Sequence, residues 1–180
     1  MTPGARVAAQ IDILEAILSG VPAEKALTNW ARGNRFAGSK DRAALRDLVF
    51  QALRCRRSAG AWPAPQSARA WAIGTLRAHG EDPNEFFTGI AHAPAALCAD
   101  DVTPAPSDRD RLDLQDWVID LLTQQYGAEQ TAKIGAVLRH RAPITLRVNL
   151  QKTTRAQLQA ELAKAEIETT PNLASDTALT

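Results

Sequence analysis

The chain has 180 residues, 45% of them apolar and only 5% aromatic, with a formal net charge of +1. That length suffices for one domain and part of a second, and the Ala- and Leu-rich composition favours helix over sheet. No run of about 18 apolar residues predicts a membrane span, no secretory leader is evident at the N-terminus, and Cys55 and Cys98 fit neither a zinc site nor a disulfide framework, so a cytoplasmic location is expected.

The first helix is expected from about Gly4 to Leu18, with Val7, Ile11, Leu14 and Leu18 as one apolar stripe and Gly20 ending it. Pro22 suits the first turn of a second helix to about Ala31, with Leu27 and Trp30 inward, before a polar loop over Arg32 to Gly38. A third helix starts near Ser39, read as its cap, with Asp41 in the first turn where a carboxylate suits the dipole. Ala44, Leu45, Leu48, Val49, Ala52 and Leu53 form its apolar face.

A break over Ala61 to Pro65 precedes a helix from about Ser67 to His79, with Trp71, Ala72 and Leu76 inward and Gly80 as its stop. Asp82, Pro83 and Glu85 then read as the start of another helix carrying Phe86, Phe87 and Ile90. Ala99 to Arg111, with Pro104 and Pro106, is a long loop or linker. Beyond it, Leu114, Trp117, Val118, Leu121 and Leu122 mark a helix closed by Gly127, and Ile134, Val137 and Leu138 another that ends before Pro143.

The period then changes. Ile144, Leu146, Val148 and Leu150 alternate with Thr145, Arg147 and Asn149, as in a strand with one apolar face. Thr154 and Gln157 form a capping-box signature for a helix through about Ala165, and Ile167 to Thr170 reads as a second strand. Two strands and one helix are too little to bury a core of their own, so the chain is expected to be part of something longer. The expected class is mainly α, a helical bundle followed by the start of a small α+β domain.

Two stretches resemble a known family. Residues 39–54, SKDRAALRDLVFQALR, look like the "DRA-L-R-LVYG-LR" helix of the N-terminal domain in the Sun/RsmB family of ribosomal RNA cytosine-5 methyltransferases. The helix from Trp117 through Tyr126-Gly127, then Ile144-Thr145-Leu146-Arg147-Val148-Asn149, is similar to that family's helix and "LRVN" strand. Phe50, Gln51 and Cys55 depart from the pattern. The resemblance implies a NusB-like all-α RNA-binding domain over residues 1–140 and the start of an RRM-like β-α-β domain over 141–180. It further implies that S-adenosylmethionine and the working cysteines belong to a catalytic domain outside this chain, which carries no cofactor of its own. The implied partners are RNA, in particular ribosomal RNA, and that catalytic domain.

The residues agree with a non-catalytic role. No glycine-rich strand-turn-helix offers a methyl-donor site. Cys55 lies beside Arg54, Arg56 and Arg57, yet both it and Cys98 are expected to be packed thiols, and His79, His92 and His140 lack ligand spacing. Charge is uneven: eight cations from Arg32 to Arg57 face only Asp41 and Asp47, while acids gather between Asp100 and Asp120. At about 100° per residue, Arg42, Arg46 and Arg57 fall in one sector with Phe50, a stripe suited to phosphates and one stacked base. Arg147 and Asn149, followed by Lys152 and Arg155, form a second candidate RNA surface. The alternative for each is a solvated face, with Arg42 paired to a neighbouring acid and Phe50 at the core edge. A protein-interaction or antitermination-type module is the rival function.

Overall fold

In the computed structural model, residues 1–62 and 67–180 are described, so Pro63 and Pro65 of the expected break lie outside the described residues. The chain divides into two compact units, Met1–His140 and Arg141–Thr180.

The first unit is helical. It holds α1 (Pro3–Leu18), α2 (Ala23–Gly33), α3 (Ser39–Arg54), α4 (Ala68–Ala78) and α5 (Asp116–Leu138). Helix α1 packs against α2, α3 and α4, and α3 also packs on α2 and α4. Thr2 caps α1 through the Ala5 amide and Ser67 caps α4 through Ala70, each supplying an acceptor to a free first-turn N–H. The cap of α3 is Gly38, not Ser39, which is already helical; no side chain caps that end. Asp41 in its first turn instead accepts from the Met1 ammonium and from Arg6, which pins α1 to α3.

The core centres on Val7, Leu14, Ala52, Cys55, Trp71, Ile73, Leu76 and Phe87. Ile13, rather than the half-exposed Leu18, joins Val49 and Ala26 in a neighbouring cluster. The polar groups drawn inside are paired, as burial demands: the Trp71 indole donates to the Ala52 carbonyl at 3.2 Å, and the Gln10 amide to Leu48 at 3.0 Å. Helix α4 passes so close to the 55–61 turn that a Cβ on Gly74 would stand 1.9 Å from the Ala59 carbonyl oxygen. Glycine is the residue that permits this approach.

The helix expected after Asp82 does not form. Asp82 does cap, but the result is a single 3-10 turn, Pro83–Glu85. The chain then turns through Gly89 and runs as a surface segment, where Phe87 is buried in the core, Phe86 and Leu97 pack against it, and Ile90 is exposed. Cys98 lies on this segment and is exposed, contrary to its expected place in the core. A second 3-10 turn, Asp110–Leu112, leads to Asp113 in the left-handed region. Within α5, Gly127 adopts φ 79° and ψ 165°, which splits the helix where the sequence placed a stop.

The second unit contains β1 (Leu146–Arg147), α6 (Arg155–Lys164) and β2 (Ala178–Leu179). Thr154 and Gln157 close the expected capping box on α6. Strands β1 and β2 pair antiparallel, with Leu146 opposite Leu179. On its other side β2 meets Pro171 and exchanges two backbone hydrogen bonds between Thr170 and Thr180. Segments 146–148 and 170–172 therefore flank β2, run parallel to each other and are linked by α6, the arrangement of a split β-α-β unit.

The second strand was expected at Ile167–Thr170; the named strand is Ala178–Leu179, and pairing in the earlier segment begins only at Thr170. Turn bonds donated by the Ala174 amide to Asn172 Oδ1 and by the Thr177 amide to Ser175 Oγ fold the end back. The first strand is also shorter than the alternation over 144–150 suggested. Of its apolar set only Val148 is buried.

Candidate nucleic-acid interface

The arginines of the basic run go two ways. Helix α3 ends at Arg54, so Arg57 is not on the helix and the sector of Arg42, Arg46 and Arg57 is not formed. Arg57 is 9% exposed. Its guanidinium donates to Asp110 at 2.9 and 3.0 Å, to Asp116 at 2.9 Å and to the Leu114 carbonyl at 2.6 Å. Asp113, with 1% of its side chain exposed, gathers the Arg57 and Ser58 amides, the Ser58 hydroxyl and Arg139. Of the acids that looked like a separate negative region, Asp110, Asp113 and Asp116 are counterions of Arg57 and Arg139. Hydrogen bonds from Ser107 and Arg57 hold Asp110 below the usual carboxylate range.

Arg46 is half-exposed but engaged. It forms a two-pronged pair with Glu24 of α2, and its guanidinium lies 5.4 Å from the centre of the Phe50 ring. That ring face is already covered by a cation. Arg42 donates Nε to the Ala37 carbonyl at 3.0 Å.

The outward cations lie on α2 and its exit. Thr28, Ala31, Arg32, Arg35 and Arg42 line a groove of about 720 Å³. It adjoins a smaller one of about 250 Å³ between α2 and α3 that Arg42 also lines. Arg32, Arg35 and Arg42 are all exposed. Arg32 and Arg35 form no ion pair with any described residue, so their charge faces solvent. Next to them stands Phe36, 73% exposed and edge-on to Trp30 with ring centres 6.3 Å apart. Arg32, Arg35 and Phe36 were not singled out from the sequence. The signal was there, two cations, Arg32 and Arg35, without a neighbouring acid, but the wheel of α3 does not reach the loop that carries them.

In the second unit, Arg147 on β1 and Lys152 in the following turn are exposed and form no ion pair among the described residues. The Asn149 side chain is spent on a turn, accepting from the Gln151 amide, and Arg155 reaches the Ser175 carbonyl at 3.4 Å.

Burial pushes the Cys55 thiol up to about 11, far from a reactive thiolate at neutral pH. No helix among the described residues is long and apolar enough to cross a membrane, and no group of three or more His, Cys, Asp or Glu side chains among them could hold a metal ion.

Residues 114–180 match the family described as "Methyltr_RsmF/B-like, ferredoxin-like domain". The match takes in α5 and the whole split β-α-β unit. No curated protein and no solved structure matches the chain.

Proposed function

We propose that this chain is the RNA-binding and positioning N-terminal region of an S-adenosylmethionine-dependent ribosomal RNA cytosine-5 methyltransferase of the Sun/RsmB type. The observation that carries the reading is the match of residues 114–180 to a ferredoxin-like domain of methyltransferases, supported by the split β-α-β pairing of that segment. The helical unit is read as NusB-like on the resemblance of its α3 sequence. Its task is to grip structured RNA through Arg32, Arg35 and Arg42, with Arg147 and Lys152 adding contacts from the second unit. The grip is electrostatic: guanidinium groups pair with phosphate oxygens and release condensed counterions. The methyl donor and the reacting cysteines are assigned to a catalytic domain outside these residues.

Reversing two charges tests this. Arg32→Glu with Arg35→Glu should weaken binding of a ribosomal RNA stem-loop by roughly tenfold or more, read by fluorescence anisotropy, with an unchanged thermal midpoint. Unaltered affinity would move the RNA contact elsewhere.

A protein-docking reading draws on a different observation. Trp117, Leu121 and Tyr126 of α5 are 66%, 53% and 52% exposed, an apolar display that a partner surface, such as the catalytic domain, would cover. Under that reading the double charge reversal leaves RNA affinity as it was, while Trp117→Ser with Leu121→Ser abolishes association with the catalytic domain.

A further inference from the structure

Trp30, which lines the smaller α2–α3 groove, also lines a mainly apolar cavity of about 650 Å³. Ala5, Ala8 and Ala9 of α1 line it, together with Trp30 and Phe36. Its volume falls in the usual range for small-ligand sites, about 300–1,000 Å³. One acid lines it, Asp12 of α1, whose hydrogen-bonding neighbour is Trp30. Asp12 forms no ion pair among the described residues; the charged group that acts on it is Glu15, one turn along, and His92 also lines the cavity. The Met1 ammonium at the rim is committed to Asp41. Burial raises the Asp12 pKa, as expected of a carboxylate set against apolar walls.

We infer that this cavity takes one unpaired guanine base of the bound RNA, the ring lying against Trp30 and Phe36 while the Asp12 carboxylate accepts from its Watson–Crick edge. The inference rests on the RNA-binding reading above and adds to it a site and a base preference. Three arguments carry it. First, a carboxylate is an acceptor only. Guanine alone among the four bases sets two donors, N1–H and the N2 amine, side by side on that edge. Adenine and cytosine each place a lone pair beside their amine, and uracil flanks its one N–H with two carbonyls. Second, unpaired bases are recognised by stacking on aromatic rings together with hydrogen bonds to that edge. Third, a carboxylate beside a polyanion repels it unless it meets such donors, so Asp12 acts as a filter as well as a contact.

The rival occupant of a cavity with apolar walls and one acid is a cationic peptide side chain. Arg32, Arg35 and Arg42 next door oppose it. They would repel an approaching cationic peptide and draw in a phosphate chain, and Trp30 lines both this cavity and the smaller α2–α3 groove.

Anisotropy of short fluorescein-labelled oligouridines with one central guanosine, adenosine, cytidine or inosine tests the site on the full chain. The guanosine oligomer should bind roughly tenfold tighter than plain oligouridine, with inosine, which lacks the N2 amine, in between. Asp12→Asn should bring guanosine down to the oligouridine level. Phe36→Ala, at an exposed position that threatens no core, should weaken the guanosine oligomer roughly tenfold. Equal affinity for all bases, untouched by Asp12→Asn while Arg32→Glu with Arg35→Glu still weakens binding, would overturn the guanine site and leave the RNA reading standing. No binding to any oligomer or stem-loop would overturn both. A short leucine-arginine peptide that binds the chain and is lost in Asp12→Asn, with no guanosine preference, would assign the cavity to protein instead.

Discussion

Arg57 and Arg35 come from one basic run and have opposite fates. Arg57 is drawn beneath the surface by Asp110 and Asp116, more than fifty residues away in sequence, whereas Arg35, just past α2, is exposed and forms no ion pair among the described residues. A count of charges treats the two alike. What separates them is whether the tertiary fold brings a carboxylate close, and that is decided by the 107–116 segment rather than by either arginine. The inward set joins α3 to the start of α5; the outward set is free to meet a ligand.

The sharpest break in this comparison is Asp113→Ala. The carboxylate, with almost no exposure, collects the Arg57 and Ser58 amides, the Ser58 hydroxyl and the Arg139 guanidinium. Its loss strands buried donors and a cation, and should cost about 3 kcal/mol or more of unfolding free energy in urea titrations. A cost below about 1 kcal/mol would mean the inward cluster is not structural.

Acid sharpens the same point more gently. Asp101 is held well below the usual carboxylate range, first by the Arg69 hydrogen bond and also by the Cys98 amide. Asp110 is lowered as well. A depressed folded-state pKa stabilises fully above the unfolded value of about 3.9, and the benefit disappears as pH falls through the folded value. Stability should therefore be level above about pH 5 and fall below about pH 4. Asp101→Asn should flatten that fall, and an identical acid profile in the variant would contradict the assignment.

The smallest effect belongs to Arg46→Ala. Its pair with Glu24 is half-exposed on both sides, and such pairs contribute under about 1 kcal/mol. Urea midpoints of variant and parent should nearly coincide.

The sequence made the scaffold legible wherever the signal was local. Helices α1 to α4, the Gly127 break in α5 and the Thr154–Gln157 capping box each follow from residues within a few positions of one another. The failures were equally physical. Asp82-Pro83-Asn84-Glu85 is a sound helix start with no helix behind it, because the chain turns at Gly89. The terminal strand was misplaced because Ile167–Thr170 and the segment at Ala178–Leu179 carry similar local signals and only pairing with β1 chooses between them. At the site, the basic run was visible, but which of its members faces solvent was not. The partners of Arg57 and Arg69 lie far along the chain, and no periodicity announces a contact at that separation. Asp12, one acid on an otherwise ordinary helix, gave no sequence signal at all; its meaning comes from Trp30 and Phe36 beside it.

The salt dependence of RNA affinity reads the outward arginines most directly. For the parent chain, log affinity for a ribosomal RNA stem-loop should fall linearly with log salt. In Arg32→Gln/Arg35→Gln/Arg42→Gln the slope should be smaller by about three, roughly one unit for each phosphate contact removed. An identical slope in parent and variant would show that these guanidinium groups touch no phosphate.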